Sequence, residues 1–176
     1  KEYDLALREY EKALDLDPEN TELYMKRGIL HADAKRYDEA IQDMSNFITH
    51  TPNNAFAYYI RAKSYRGKGD ILKSLDDYNK VLKLSPRLAG VYYERGQMKH
   101  QLGMTDDALV DFNTSLEYFP YNPMAYLHRG NIFKTRGRYE EAQKDYLAYL
   151  KLNPKAPDAE EIGREIEALK ESLTTK

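Results

Sequence analysis

Residues 55–88 read AFAYYIRAKSYRGKGDILKSLDDYNKVLKLSPRL, and residues 89–122 read AGVYYERGQMKHQLGMTDDALVDFNTSLEYFPYN. Laid one over the other, they put Tyr58 above Tyr92, Arg61 above Arg95, Ala62 above Gly96, Asp77 above Asp111 and Pro86 above Pro120. The frame continues outward in both directions, so that Pro18, Pro52, Pro86, Pro120 and Pro154 recur every 34 residues without a slip. Proline ends a helix because it lacks an N–H donor and its ring clashes with the preceding turn. A stop at a fixed period marks one supersecondary unit copied along the chain.

Blocks beginning at Thr21, Ala55, Ala89 and Pro123 bring further columns into register. Tyr24, Tyr58, Tyr92 and Tyr126 form one; Arg27, Arg61, Arg95 and Arg129 the next, each followed by Gly28, Ala62, Gly96 or Gly130. Later in each block come Ala40, Ser74, Ala108 and Ala142, then Asp43, Asp77, Asp111 and Asp145, then Met44, Tyr78, Phe112 and Tyr146. Gly or small polar residues split every block into two helical stretches, as at Gly67–Asp70, Gly103 and Gly137. Two helices with a short turn form an antiparallel αα-hairpin, so the chain is expected to be all-α. Gly28 and Ala40 lie at similar distances either side of the turn near Lys35, so they are expected to meet where the helices approach closely. Lys35 stands where the sibling turns carry Gly69, Gly103 and Gly137; a left-handed backbone there would cost it modestly.

The pattern Tyr-x-x-Arg-Gly, then Ala-x-x-Asp-Tyr/Phe, then a closing Pro resembles the tetratricopeptide repeat family, with Tyr where Trp is commoner at the first aromatic position. The resemblance covers four full repeats, 21–54, 55–88, 89–122 and 123–156, while 1–20 looks like the second helix of a truncated repeat through Ala6, Tyr10 and Pro18. It implies a right-handed α-solenoid, a superhelix of stacked hairpins whose concave face comes mainly from first helices. Residues 157–176 depart from it, with Glu160 in the aromatic column and Arg164 in the small one. There Ile162, Ile166, Leu169 and Leu173 share one stripe, the pattern of a capping helix over the last repeat. At the other end only a half-repeat covers the array, so its apolar side is expected to be the more exposed.

The bulk composition narrows the function. Of 176 residues 41% are hydrophobic and 32% charged, enough for a core and a solvated surface. No apolar run approaches the roughly 18 residues of a membrane span. A net charge of −2 argues against the basic footprint of nucleic-acid binding. The absence of cysteine excludes disulfides, thiolate metal sites and thiol nucleophiles and leaves the compartment open. The chain opens in mid-pattern at Lys1 without an initiator Met, so it reads as a cut or processed piece, and the lack of a targeting segment carries little weight.

The Arg and Asp columns resemble a site but have a structural explanation. The pairs Arg27–Asp43, Arg61–Asp77, Arg95–Asp111 and Arg129–Asp145 are each 16 residues apart, about 8 from the turn. On antiparallel helices rising ~1.5 Å per residue that sets both groups at one height, where a guanidinium can grip a carboxylate bidentately. Catalysis has little support. His31, His50, His100 and His128 are scattered without metal-ligand spacing, and no Gly-rich phosphate loop follows a strand. The pairs Asp38-Glu39, Asp106-Asp107 and Glu140-Glu141 open second helices, where they favour the positive end of the helix dipole. Neither an enzyme nor a cofactor is expected.

The columns that vary point to function. On the first helix of the second repeat, Tyr58, Ala62 and Tyr65 form the packing stripe, and Phe56, Tyr59, Lys63 and Arg66 a second stripe about 130° round. The family resemblance places this second stripe on the concave surface. Along the array it gives an apolar band of Met25, Tyr59, Tyr93 and Leu127, flanked by Phe56 and Met124. A mixed polar band of Ile29, Lys63, Gln97 and Asn131 follows, then one of Ala32, Arg66, His100 and Lys134 that is basic in three of four repeats. Apolar anchors rimmed by hydrogen-bonding and basic groups suit a peptide groove. The expected ligand is a segment of a partner protein with apolar anchors and acidic residues.

The carboxylate clamp by which some family members hold heat-shock chaperone C-termini does not fit. One register offers Met25 and Ile29, Ile60, then Gly90 and Glu94; the other offers Tyr59 and Lys63, Glu94, then Met124 and His128. Neither supplies the Lys, Asn and Arg set, and Glu94 would repel a carboxylate. The reading in a different class is a structural self-assembly element, stacking copies through the N-terminal end or continuing a longer superhelix.

Overall fold

The computed structural model describes residues 2–174, with side chains from Tyr3 onward; Lys1 and the last two residues of the 157–176 segment lie outside them. Regular structure among the described residues is α-helical throughout. The helices are α1 (Glu2–Leu16), α2 (Thr21–Asp33), α3 (Tyr37–His50), α4 (Ala55–Lys68), α5 (Ile71–Leu84), α6 (Ala89–Gln101), α7 (Thr105–Tyr118), α8 (Pro123–Thr135), α9 (Tyr139–Leu152) and α10 (Ala159–Thr174). The chain divides into two compact units, residues 1–86 and 87–176. The first holds α1 with the hairpins α2–α3 and α4–α5; the second holds α6–α7, α8–α9 and α10.

Each hairpin turn closes by the same backbone device. Asp70 N–H reaches back to the Tyr65 carbonyl at 2.9 Å and Gly69 N–H to that of Arg66 at 3.0 Å. Met104 to Lys99 (2.9 Å), Arg138 to Phe133 (2.9 Å) and Arg36 to His31 (2.8 Å) repeat the longer bond. This closure satisfies the last helical carbonyls but needs one left-handed residue. Gly69, Gly103 and Gly137 supply it at φ 91°, 78° and 70°, and Lys35 supplies it at 59°. A side chain there costs about 1–2 kcal/mol.

The opposite end of each second helix stops before its proline. The residue preceding Pro52, Pro86, Pro120 or Pro154 donates one last helical bond, from Thr51 to Phe47 (2.9 Å), Ser85 to Val81 (2.7 Å), Phe119 to Ser115 (2.8 Å) and Asn153 to Tyr149 (2.9 Å). Its φ then opens to between −130° and −144°, as the following pyrrolidine ring demands. Asn54 and Asn122 start the next first helices by accepting from Ala57 N (2.9 Å) and Ala125 N (3.3 Å).

Within a hairpin the small-residue column sets the helix approach. A Cβ on Gly28 would press on the Met44 side chain and stand 2.9 Å from the Asp43 Cβ, with the Ala40 backbone oxygen next at 3.5 Å, so Gly28 meets Ala40 as expected but Met44 and Asp43 come closer still. Gly96 against Phe112 and Gly130 against Tyr146 repeat the arrangement. In α4–α5, Ala62 replaces the glycine, and Ser74 satisfies its buried hydroxyl by donating to the Ala62 carbonyl at 2.7 Å. Met44 and Tyr78 in the first unit and Phe112 and Tyr146 in the second are buried completely or nearly so. Each contributes about 1.5–3 kcal/mol by leaving water.

In the second unit α10 packs on α9, burying Ile162, Ile166 and Leu169, with Leu173 half-buried at the edge. Tyr149 donates to the Asp158 carboxylate at 2.6 Å just before α10 starts. Burial, and then this bond, push its phenol up to about 12.

Candidate functional site

The recurrent polar columns are occupied inside the hairpins. Arg27 donates Nε to Asp43 Oδ2 at 2.8 Å and Nη2 to Oδ1 at 2.7 Å. Arg61–Asp77 (2.7 and 2.8 Å), Arg95–Asp111 (2.8 and 2.5 Å) and Arg129–Asp145 (2.7 and 2.7 Å) form the same fork. All four carboxylates are buried. Each guanidinium also lies over the tyrosine three residues before it, 5.4–5.7 Å from the centroid of Tyr24, Tyr58, Tyr92 or Tyr126. The Tyr and Arg columns thus form one structural device. The outer nitrogen of the fork reaches the preceding hairpin, from Arg61 Nη1 to Ser45 Oγ at 3.0 Å and from Arg129 Nη1 to Asn113 Oδ1 at 2.7 Å.

The second stripe has a different character. In the first unit Phe56 is 47% exposed, Met25, Ile29 and Tyr59 are half-buried, and Lys63 and Arg66 are exposed. Phe56 and Tyr59 stack at 6.5 Å, Tyr59 leans on buried Tyr78 at 6.2 Å, and Lys63 Nζ stands 5.4 Å from the Tyr59 centroid. Met25 and Ile29 open on a cleft of about 390 Å³ that also touches Phe47 and Asn54. The apolar and cationic members of the stripe therefore adjoin one another on this unit.

In the second unit the stripe differs from the sequence expectation at Leu127 and Lys134. Leu127 is 9% exposed and belongs to the core cluster with Phe112, Tyr146 and Ile166, so it is not part of an accessible apolar band. A leucine has no polar tip to hold at the surface, whereas a tyrosine keeps its hydroxyl in water while its ring packs. Lys134 is matched to Glu165 of α10 at 2.9 Å, which neutralises the last member of the basic band. Asn131 is exposed, but its Oδ1 accepts from the buried Tyr146 hydroxyl at 2.7 Å. Met124 at 38% and His100 remain exposed, and Tyr93 and Gln97 are half-buried.

His128 joins this face although the sequence did not single it out for it. Its ring stacks on Phe112 at 5.8 Å and lies 5.9 Å from Tyr93. Gln97 Nε2 donates to the Tyr93 hydroxyl at 2.9 Å and lies 3.2 Å from His128 Nε2. Burial, and then the nearby His100, hold the His128 imidazole below its ordinary range, so it is a neutral hydrogen-bonding group. The available hint was its column, Lys26, Ile60, Glu94 and His128, which varies as the stripe does.

Among the described residues no cluster of three His, Cys, Asp or Glu is placed to hold a metal ion, and no helix is long and apolar enough to cross a membrane. His31 lies buried 3.9 Å from Asp43 as part of the hairpin interior. The acidic pairs that open α3, α7 and α9 form ion pairs, Asp38 with Lys68, Asp106 with Arg136 at 2.6 Å and Glu141 with Arg138.

Family comparison agrees with this architecture. A model of the tetratricopeptide repeat matches residues 2–55, and a second model of the same description matches residues 57–88 and 125–156. Among solved structures the chain is similar to MamA, with a TM-score of 0.82 at 26% identity over 87% of this chain and 90% of that one. YrrB, a TPR protein with an unusual peptide-binding site, aligns with a TM-score of 0.79 at 20% identity over 93% of this chain and 84% of its own. TTC0263, a thermophilic TPR protein of Thermus thermophilus, aligns at 0.62 and 24% identity over 95% of this chain and 90% of that one. The last two likenesses concern the fold alone. No curated protein matches the chain. The fold is an all-α helical-repeat solenoid.

Proposed function

Because this chain belongs to the tetratricopeptide repeat family, a family of protein-interaction scaffolds, we propose that it binds a segment of a partner protein along the variable stripe of its first helices. One observation carries the reading: the recurrent Arg, Asp and Tyr columns are consumed inside the hairpins, while the stripe keeps apolar and hydrogen-bonding groups within reach of solvent. Phe56, Tyr59 and Met25 in the first unit, and Tyr93 and Met124 in the second, serve as apolar anchors. Gln97 and His128 offer side-chain partners for a peptide's polar groups, and Lys63, Arg66 and His100 favour acidic residues. YrrB carries a peptide-binding site on a similar fold, so the architecture accommodates this use. No catalytic step is part of the function proposed.

A peptide array probed with the whole chain tests it. Peptides with apolar anchors and acidic residues should bind, and their affinity should fall at least about tenfold in the Tyr59→Ala, Tyr93→Ala double variant. A Tyr121→Ala variant, on the loop edge, controls for loss of exposed aromatic surface. Equal affinity in the double variant and the wild type removes the stripe from consideration.

A second reading is favoured by α1, where Leu5 and Leu16 are 66% and 88% exposed. On this reading the N-terminal end is an assembly surface that stacks copies of the chain. Sedimentation at several concentrations separates the two, since apolar stacking gives association that salt barely alters.

A further inference from the structure

At the end of the second unit where α7 stops and α8 starts, the loop departs from its siblings. Tyr118, Phe119 and Tyr121 are 43%, 50% and 67% exposed. Phe119 stands where the other repeats have Thr51, Ser85 and Asn153, and Tyr121 where they have Asn53, Arg87 and Lys155. The hairpin therefore places no demand for an aromatic ring at either position. The Phe119 and Tyr121 rings meet edge to face at 5.9 Å across Pro120. Tyr118 rests against Tyr92 of α6 at 5.9 Å, which sets the segment before α6 beside this loop. That segment exposes Leu88, and α9, antiparallel to α8, exposes Leu152 where it ends at the same edge. Apolar surface gathered on one edge marks a contact site. Along the loop tips one column runs Arg87, Tyr121 and Lys155, all exposed, and neither cation has an ion-pair partner among the described residues. The acids of this edge are borne by the helices, Glu117 on α7 and Glu160 and Glu161 in the first turn of α10, while Asp158 accepts from the Tyr149 hydroxyl.

We propose that this edge docks on an anionic lipid surface, with Phe119 and Tyr121 entering the headgroup layer and Arg87 and Lys155 meeting acidic headgroups on either side. Tyrosine suits that depth because its ring is apolar and its hydroxyl polar. Each flanking cation strengthens attachment to an anionic bilayer. A bilayer accepts a loop tip as it stands, whereas a protein partner has to supply a complementary surface. A second copy fits poorly: a two-fold contact through Tyr121 reverses the column and sets Arg87 of one copy against Lys155 of the other. The inference goes beyond the stripe reading and does not depend on it.

Co-sedimentation of the whole chain with vesicles tests it, using phosphatidylcholine alone and equal parts phosphatidylcholine and phosphatidylserine. The chain should pellet with the anionic vesicles and be released as salt rises. Phe119→Ser with Tyr121→Asn takes residues that sibling loops already carry at Ser85 and Asn53, so the helical circular dichroism melt should stay as in the wild type. Partitioning of that variant should fall at least about tenfold. Arg87→Gln with Lys155→Gln should lower it by a similar factor. The chain contains no Trp, so Phe119→Trp gives a single reporter whose emission should shift to the blue on the anionic vesicles. No pelleting, equal binding to both vesicles, wild-type partitioning in the aromatic variant, or an unshifted emission overturns the proposal. Self-association in solution that the aromatic variant abolishes assigns the patch to a second copy and overturns it as well. None of these readouts involves Tyr59 or Tyr93.

Discussion

Replacing Arg61 by alanine should destabilise the first unit by about 3–5 kcal/mol, the usual cost of removing one partner of a buried ion pair. The guanidinium makes two bonds to Asp77 at 2.7 and 2.8 Å and a third to Ser45 at 3.0 Å. Its side chain is 18% exposed and that of Asp77 is 7% exposed, so solvent cannot take over the abandoned carboxylate. The guanidinium also covers the Tyr58 and Tyr65 rings at 5.4 and 6.0 Å. Most of the loss comes from stranding Asp77 rather than from the net worth of the pair. The double replacement Arg61→Met, Asp77→Leu should therefore recover the greater part of it. Urea unfolding followed by helical circular dichroism and by tyrosine fluorescence measures both variants, with two probes because repeat arrays can unfold in parts. A loss below about 1 kcal/mol for Arg61→Ala, the range of exposed pairs, would refute the structural assignment and return the Arg column to the binding groups.

Two further predictions concern the hairpin interior. Gly96→Ala should cost about 1–3 kcal/mol, because the new Cβ would stand 3.0 Å from the Phe112 ring and 3.2 Å from the Asp111 Cβ. Gly163→Ala, in α10 with nothing within 4 Å, should gain about 0.5–1 kcal/mol; the same urea melts decide both, and like signs would disprove the close-approach argument. The other concerns pH. Burial holds the His31 pKa below 6.5, with Asp43 opposing. In the interval between that depressed value and 6.5 the unfolded chain binds the extra proton, so stability is fully present above about pH 6.5 and falls as the medium becomes more acidic. His31→Tyr, the residue that the sibling position holds at Tyr65, should flatten the difference between urea midpoints at about pH 7.5 and about pH 5. His128, depressed in the same direction, leaves a residual slope. An unchanged difference in the variant would show that His31 does not titrate on unfolding.

What could be read from the sequence was whatever recurs within one hairpin. The 16-residue Arg–Asp spacing, the left-handed turn position and the proline stops each depend on contacts inside one repeat, and each is repeated often enough to check itself. The stripe was harder because its members do not recur. Leu127 is buried in a core cluster that reaches Ile166 in the cap, and Lys134 is neutralised by Glu165, which also belongs to the cap. The cap breaks the 34-residue register, so no column pointed to either outcome. His128 was missed because a lone histidine in a varying column has no chemical signature until Phe112, Tyr93 and Gln97 surround it.

The third nitrogen of the arginine fork bears on how the chain tolerates insertions and deletions. Arg61 bonds 16 residues forward to Asp77 and 16 residues back to Ser45, and Arg129 does the same with Asp145 and Asn113. Each arginine thus measures the length of chain on both sides of itself. One residue added between Ser45 and Arg61 shifts the backward bond, and one added between Arg61 and Asp77 shifts the forward fork. Length changes of a single residue are therefore penalised wherever they fall within this span, while gain or loss of a whole 34-residue unit preserves the 16-residue spacing on both sides of Arg61 and Arg129. The constraint favours growth and shrinkage by entire repeats over drift in loop length.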